Sequence, residues 1–556
     1  MPKKYITITI NNKKIKCKEG QTIKEVAEKN GIFIPGLCSH PDFPPKANCR
    51  ICLVEIEGSK KLVPSCSTKV SDGMIVNTES ERVARIRNLN IELIFAEHIE
   101  KCPTCIWRFN CPLLKLAIKY KVQIKRFPDR KGKRKIYKFA NAVEIDGTQC
   151  IDCRNCIDAC SVLQNIHYLE LKGKGSRQEV VPTKNKNIQC IYCGQCALHC
   201  PVSAAQEQAH WPEVEKLLKS KKKIMIAQFA PAIRVSIGEE FGAPYGTVVT
   251  EQLVGSLRRL GFDYVFDVNF GADITTIIEA EELIDRIKNG GMLPMFTSCC
   301  PAWVRYLEVY HPNLLPHLTK TRSPHIINGG VIKTYWAERM KIKPKDIIVV
   351  SIMPCTAKKF EITRPELKVK GLRAVDYSLT TREFALMLKK NNINLSQVEK
   401  SQADNPMGEY SGAAAIYGAS GGVMESALRT AQVILGEKTK KIEFKAARGL
   451  KNIKEAVVKI GEQDIRAVVV NGIGHIKKVL DNLDEYDYIE VMSCPGGCIG
   501  GGGQPIPTTP EIRKKRMMAL YKIDKSKKVR YAHENKEAKE IISWIKKNKM
   551  KKILET

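Results

Sequence analysis

Apolar positions along this chain keep two rhythms, and the change between them divides it. Near the start they alternate. Residues 5–10 (YITITI) and 14–17 read as two strands joined by the turn dipeptide Asn11-Asn12. Residues 21–30 read as a helix stopped by Gly31, and 51–57 and 74–77 as further strands. This predicts a mixed sheet crossed by one helix over residues 1–80. A helical pattern covers 81–98, and a basic stretch, 126–138, reads as a linker. From Lys223 onward, short apolar runs alternate with helical patterns: 224–229, 264–268, 292–297, 347–352, 467–470 and 488–492. That alternation predicts parallel sheets covered on both faces. Reactive residues in such folds collect where strands end, and Cys299, Cys355 and Cys494 each follow one of these runs.

The 556 residues exceed what one core fills, so three or four domains are expected. No run of about 18 apolar residues predicts a membrane span. The alternating N-terminus lacks the apolar stretch of a signal peptide, so a cytoplasmic location is expected. All of the 21 cysteines except Cys17 fall in tight groups. In a reducing compartment such grouping points to metal or redox chemistry rather than disulfides. The net charge of +32 suits lysines spread over solvated faces, or steering of an acidic protein partner. The lysine runs at 219–223 and 546–552 lack interleaved aromatics, so no nucleic-acid role is expected.

Four cysteine groups precede residue 201. Cys38, Cys49, Cys52 and Cys66 could hold a [2Fe–2S] cluster or a structural zinc. His98, Cys102, Cys105 and Cys111 suit a [4Fe–4S] cluster with one histidine ligand, or again zinc. Cys150, Cys153, Cys156 and Cys160, then Cys190, Cys193, Cys196, Cys200 and Pro201, repeat the bacterial ferredoxin spacing. In that arrangement the fourth cysteine of each run serves the other cluster. Cys200 is thus expected with the first run and Cys160 with the second. Four centres in series read as an electron wire.

Three later segments supply five thiols from separate strand ends: TSCCPAW (297–303), MPCTAKKFE (353–361) and EVMSCPGGCIGGGGQP (490–505). The glycines allow backbone to approach a bulky inorganic ligand, and Lys358 offers a point-charge donor. These segments are similar to the three signature motifs of the [FeFe]-hydrogenases. With the upstream groups, the chain resembles the large clostridial-type monomeric members over about residues 1–510. The resemblance implies five units: a β-grasp plant-type ferredoxin domain (1–80), a His/Cys3 domain (81–125) and a two-[4Fe–4S] ferredoxin domain (126–210). Next come an α/β catalytic domain of two lobes with parallel sheets (211–510) and a basic helical extension (511–556). It implies one [2Fe–2S], three accessory [4Fe–4S] clusters and an H-cluster. The last is a [4Fe–4S] cube joined to a two-iron centre carrying CO, CN⁻ and a bridging dithiolate amine. Carried onto this chain, Cys300, Cys355, Cys494 and Cys498 ligate the cube, with Cys498 bridging. Cys299 is the free proton-carrying thiol, and Lys358 binds a cyanide, helped by backbone at Ala230, Pro231, Ser323 and Pro324. Met353 and Met492 pack on the cluster. Ala232 and His325 stand where relatives often place serine and glutamine.

Glu279, Glu282 and Arg286 share one helix face. The resemblance makes them an outer proton relay: Cys299, Glu279, Thr319, Glu282, Arg286, with threonine in place of an expected serine. The implied activity is reversible 2H⁺ + 2e⁻ ⇌ H₂. The implied partners are an acidic ferredoxin or similar small carrier, and maturation proteins. Two alternatives stay open. The chain could be the catalytic subunit of an NAD(P)-linked or electron-bifurcating complex with flavin subunits, since it has no nucleotide motif of its own. It could also be a non-catalytic hydrogenase-like iron–sulfur assembly protein.

Overall fold

The computed structural model describes residues 4–103, 105–131, 133–435, 448–461 and 463–556. Residues 1–3 of the expected N-terminal domain lie outside that set. Its sheet has five strands in the order Lys13–Lys18, Tyr5–Ile10, Ile75–Asn77, Leu53–Ile56, Val63–Pro64. The alternation read in the sequence is a burial pattern: Ile6, Ile8 and Ile10 face the core beside Ile15 and Cys17. The helix Ile23–Lys29 starts at a capping box between Thr22 and Glu25.

The helix Glu81–Ala96 ends just before His98. Its buried Arg87 donates to the carbonyls of Ile51, Leu53 and Thr78, fixing the helix against the first sheet. The expected linker 126–138 is instead tied down. Arg126 pairs with the buried Glu92, Arg130 and Lys131 pair with the buried Glu97, and Ile136–Phe139 is a strand. A buried carboxylate needs a countercharge, and this basic stretch supplies it for both glutamates.

Two sheets build the second half. One is parallel throughout, in the order Tyr264–Asp267, Ile224–Phe229, Ile347–Met353, Tyr377–Thr380. The other runs Met295–Phe296, Tyr488–Met492, Gln463–Asn471, Ile453–Ile460. Its last pair is antiparallel, which corrects the expectation of parallel sheets in both lobes. The edge strand Ile453–Ile460 alternates buried and exposed side chains, with Val457 outward, as a sheet edge with one wet face does. The expected strand 292–297 shrinks to Met295–Phe296. Met292 is exposed, its carbonyl accepts from Arg286, and Pro294 has no N–H to give a ladder.

The C-terminal residues form the helices Pro510–Ser526 and Lys536–Lys547. They are not a solvated basic appendage. Arg513 pairs with Asp42 and Arg516 with Glu239, while Ile541, Ile542 and Ile545 join the core that holds Trp336.

Candidate functional site

The strands of both sheets end around one cavity of about 80 Å³. One water needs roughly 10–15 Å³ by this measure, so the space takes a group several atoms across. Ile224–Phe229 delivers Ala230 and Pro231; Ile347–Met353 delivers Met353 and Cys355; Tyr488–Met492 delivers Met492, Cys494 and Cys498. Cys299 and Cys300 enter after Met295–Phe296, ahead of a helix that opens with Pro301. Pro324, His325, Lys358 and Tyr417 complete much of the wall. Of the residues expected at this site, Ser323 stands just outside the lining, its hydroxyl buried and without a hydrogen-bond partner among the described residues. Ala232 is buried beside Gly418.

The glycines of the third segment are needed for close approach. A Cβ at Gly502 would meet the Cys193 carbonyl at 2.5 Å, and Gly497 has a φ of +84° with the Ser420 nitrogen 2.6 Å from its Cβ position.

The thiols repel one another's ionisation. Burial, then the neighbouring sulfurs, hold Cys494 and Cys498 far above the ordinary thiol range, and burial and Cys300 push Cys355 up to about 12. Cys355, Cys494 and Cys498 ionise together only around a cationic centre, and soft thiolates suit iron. Cys299 is raised too, by burial and then by the nearby Glu279.

Lys358 Nζ donates to Glu361 at 2.8 Å and to the Cys299 carbonyl at 3.1 Å. Two of its three donors are thus used. His325 binds the same carboxylate at 2.5 Å and Ser351 at 3.2 Å. Burial alone would raise the Glu361 carboxyl, yet Lys358 and His325 hold it down at about 2. Glu361 lies within the second signature segment, and its i,i+3 spacing from Lys358 was the available signal for this pair.

The expected relay divides in two. Thr319 donates to Glu282 at 2.6 Å and Arg286 to Glu282 at 2.6 Å, while Arg286 also binds the carbonyls of His317 and Leu318. Glu279 hydrogen-bonds neither Thr319 nor Cys299; Tyr488 donates to it at 2.5 Å. Tyr488 went unread because it opens an apolar strand run, where an aromatic residue looks like core.

The upstream cysteines also gather. The Cys38 thiolate is favoured by a hydrogen bond from Cys49 and that of Cys52 by one from Cys66, while Cys38 acts on both Cys52 and Cys66. Cys102, Cys105 and Cys111 act on one another. Burial pushes the His98 imidazole down to about 4, and its Nδ1 bonds the Gln149 carbonyl at 2.9 Å. That bond places the proton on Nδ1 and leaves the Nε2 lone pair available. Beyond burial, Cys200 and Cys150 raise Cys153, and Cys190 and Cys160 raise Cys196, so the fourth cysteines sit with the opposite runs. The groups lie near one another: Cys38 acts on Cys153, and Cys494 on Cys193.

Five family models match in chain order. They are a 2Fe-2S iron-sulfur cluster binding domain at 3–81 and the NADH-ubiquinone oxidoreductase-G iron-sulfur binding region at 87–126. A 4Fe-4S dicluster domain follows at 149–204. The C-terminal domain of the iron only hydrogenase large subunit matches 223–502, and the iron hydrogenase small subunit matches 510–554. Iron hydrogenase 1 of Clostridium pasteurianum is 41% identical over 544 residues, covering 95% of each chain. The NADP-reducing hydrogenase subunit HndD of Solidesulfovibrio fructosivorans is 39% identical over 551 residues, covering 95% of this chain and 94% of its own. Among solved structures, a variant of the apo [FeFe]-hydrogenase from Chlamydomonas reinhardtii superposes with a TM-score of 0.57 at 36% identity, over 63% of this chain and 98% of that one. No helix among the described residues is long and apolar enough to cross a membrane. With the signature thiols collected in one cavity and cysteine groups leading to it, these matches make the chain a member of the iron-only, or [FeFe], hydrogenase family.

Proposed function

We propose that this [FeFe]-hydrogenase interconverts protons and H₂ at an H-cluster held in the cavity where the two sheets end, with electrons relayed through four accessory clusters. The observation that carries the reading is that Cys299, Cys300, Cys355, Cys494, Cys498 and Lys358 line one enclosed space. The donor set fits the group: mutually repelling soft thiols, a lysine with one donor unused among the described residues, and thioethers of Met353 and Met492 on the wall. Cys300, Cys355, Cys494 and Cys498 would hold the iron–sulfur part of the group. When bound, that group supplies the redox chemistry of 2H⁺ + 2e⁻ ⇌ H₂.

The protein's own side chains do the rest. Lys358 presents its remaining N–H to an anionic ligand such as cyanide, while backbone at Ala230, Pro231 and Pro324 shapes the cavity. Ser323 acts at most through its backbone, from outside the lining. Cys299, the fifth sulfur, carries a proton to and from the cavity. Glu279, Thr319, Glu282 and Arg286 continue toward the surface, where Glu282 is partly exposed.

Upstream, Cys38, Cys49, Cys52 and Cys66 suit a [2Fe–2S] cluster. His98 with Cys102, Cys105 and Cys111 suits a [4Fe–4S] cluster, as does each crossed ferredoxin quartet. The five matched spans support domain limits near 80, 125, 210 and 510.

The electron partner we favour is an acidic ferredoxin-like carrier: residues 4–140 hold 28 Lys and Arg against 13 Asp and Glu. A second reading, the catalytic subunit of an NAD(P)-linked complex, is favoured by the 39% identity to an NADP-reducing hydrogenase subunit. Copurification of flavin-containing subunits separates the two. The assembly-protein reading does not account for Cys299, Lys358 and both methionines converging on one cavity. The test is Cys299→Ser in protein matured with its metal centre. Infrared CO and CN⁻ bands should persist while turnover falls at least about 100-fold; full turnover without this thiol would refute the assignment.

A further inference from the structure

Glu279 sits midway along the helix Val268–Lys288, fully buried. Among the described residues its one side-chain hydrogen bond comes from Tyr488, whose hydroxyl donates to Oε1 at 2.5 Å. Tyr488 is itself fully buried and opens the strand that goes on to Met492 and Cys494. The anchor of Glu279 therefore belongs to the same element that delivers sulfur to the cavity. On the outer side, Thr319, Glu282 and Arg286 form a connected set that does not include Glu279. On the inner side, the Glu279 charge is felt by Cys299, with no hydrogen bond between them.

We propose that Tyr488 is a positioning residue for proton transfer, its phenol holding the Glu279 carboxyl in the gap between the Cys299 thiol and the Thr319–Glu282–Arg286 set. The inference rests on the relay proposed above and names what orients its middle member. With Oε1 held, the carboxyl no longer rotates freely, and Oε2 keeps one direction. Proton transfer between groups that do not yet touch gains most from such fixed orientation. In H₂ uptake a proton passes from the Cys299 sulfur to the Glu279 carboxylate and then outward. In H₂ evolution it returns by the same atoms, and no electron travels with it.

The charges around Glu279 fit this use. Its own helix contributes Glu282 and Arg286; the strand contributes Tyr488 and Glu490; the cavity wall contributes Cys299 and Tyr417. Tyr417 gives no hydrogen bond to the carboxyl, because its hydroxyl pairs with Thr276 at 2.7 Å. Burial, with Glu282 and Glu490 adding to it, pushes the carboxyl up to about 8 against the Tyr488 hydrogen bond and Arg286. A group poised there both accepts and releases protons near neutrality. The phenol donates to the carboxylate and so favours the ionised form. Removing it should move the midpoint further up, by about one pH unit.

The test is Tyr488→Phe, which deletes one oxygen from the same ring, in protein carrying its assembled clusters. The protonated carboxyl stretch of Glu279 is followed by infrared difference spectroscopy across pH and assigned by its loss in Glu279→Gln. The expected result is a midpoint raised by about one unit, a C=O band moved to higher frequency, and the pH limb of H₂ uptake displaced by the same amount. Added to Glu279→Gln, the Tyr488→Phe change should have no further effect on turnover. An unmoved midpoint and pH limb would overturn the proposal, as would an equal loss of turnover in the Glu279→Gln background, which marks a merely structural role. Full turnover in Glu279→Gln alone would instead remove the relay on which the proposal depends.

Discussion

Lys358 and Glu361 show how much one charge depends on another inside this protein. Both are nearly excluded from water, and each holds the other ionised against the cost of burial. Glu361 is shared with His325, which is pushed down to about 4 by burial and Lys358 and so stays neutral at neutral pH. Glu361→Gln would leave the lysine charge without its partner, and breaking a buried pair costs about 3–5 kcal/mol. Chemical denaturation of the variant should show a loss of that order. The linkage has a definite sign. A carboxyl held near 2 when folded contributes stability above its ordinary range near 4.5, and this is lost as pH falls toward 2. The difference between parent and variant should therefore shrink in acid. A variant as stable as the parent at pH 7 would mean that Lys358 finds another partner or releases its proton.

Strands with a strict alternation, such as Tyr5–Ile10, or a continuous apolar run were legible in the sequence, and those with mixed patterns were not. Residues 224–229 and 488–492 lie buried on both sheet faces, and the structure places strands over those same residues. Tyr377–Thr380 alternates a serine and a threonine with its apolar residues only briefly and gives no such signal, although it pairs in register with Ile347–Met353. Ile453–Ile460 is an amphipathic edge that, among the described residues, pairs only with its hairpin neighbour, which sequence periodicity alone could not place. The cavity residues were legible because cysteine, glycine and proline recur at short spacings around it. Tyr488 and Tyr417 were not, because their hydroxyl partners, Glu279 and Thr276, lie 209 and 141 residues away. Lysine and arginine dominate the composition of the C-terminal helices, so their sequence suggests a basic extension. Their apolar residues nevertheless recur at core spacing, and Ile545 is fully buried against the domain of the parallel sheet. Ile545→Ala should cost about 2–5 kcal/mol in thermal or chemical unfolding, whereas a solvated tail would give a change near zero.

Across the molecule, separate folding units are joined so that their cysteine groups line up. Asp42 of the N-terminal domain takes Arg513 from the C-terminal helix and lies 3.1 Å from His199 beside Cys200, tying three segments together near the upstream groups. Gly502 lies against the Cys193 loop, joining the last of those groups to the cavity wall. Parallel strands that converge at one end, a hairpin added at one edge, and glycine loops crossing between the sheets place five sulfurs from three strand ends around one space. The most direct test is anomalous diffraction at the iron edge from crystals of the matured protein. The account predicts iron bonded to Cys300, Cys355, Cys494 and Cys498, further iron beyond Cys498, and none bonded to Cys299. Iron on the Cys299 sulfur, or a cavity holding no iron in protein that turns over H₂, would contradict it.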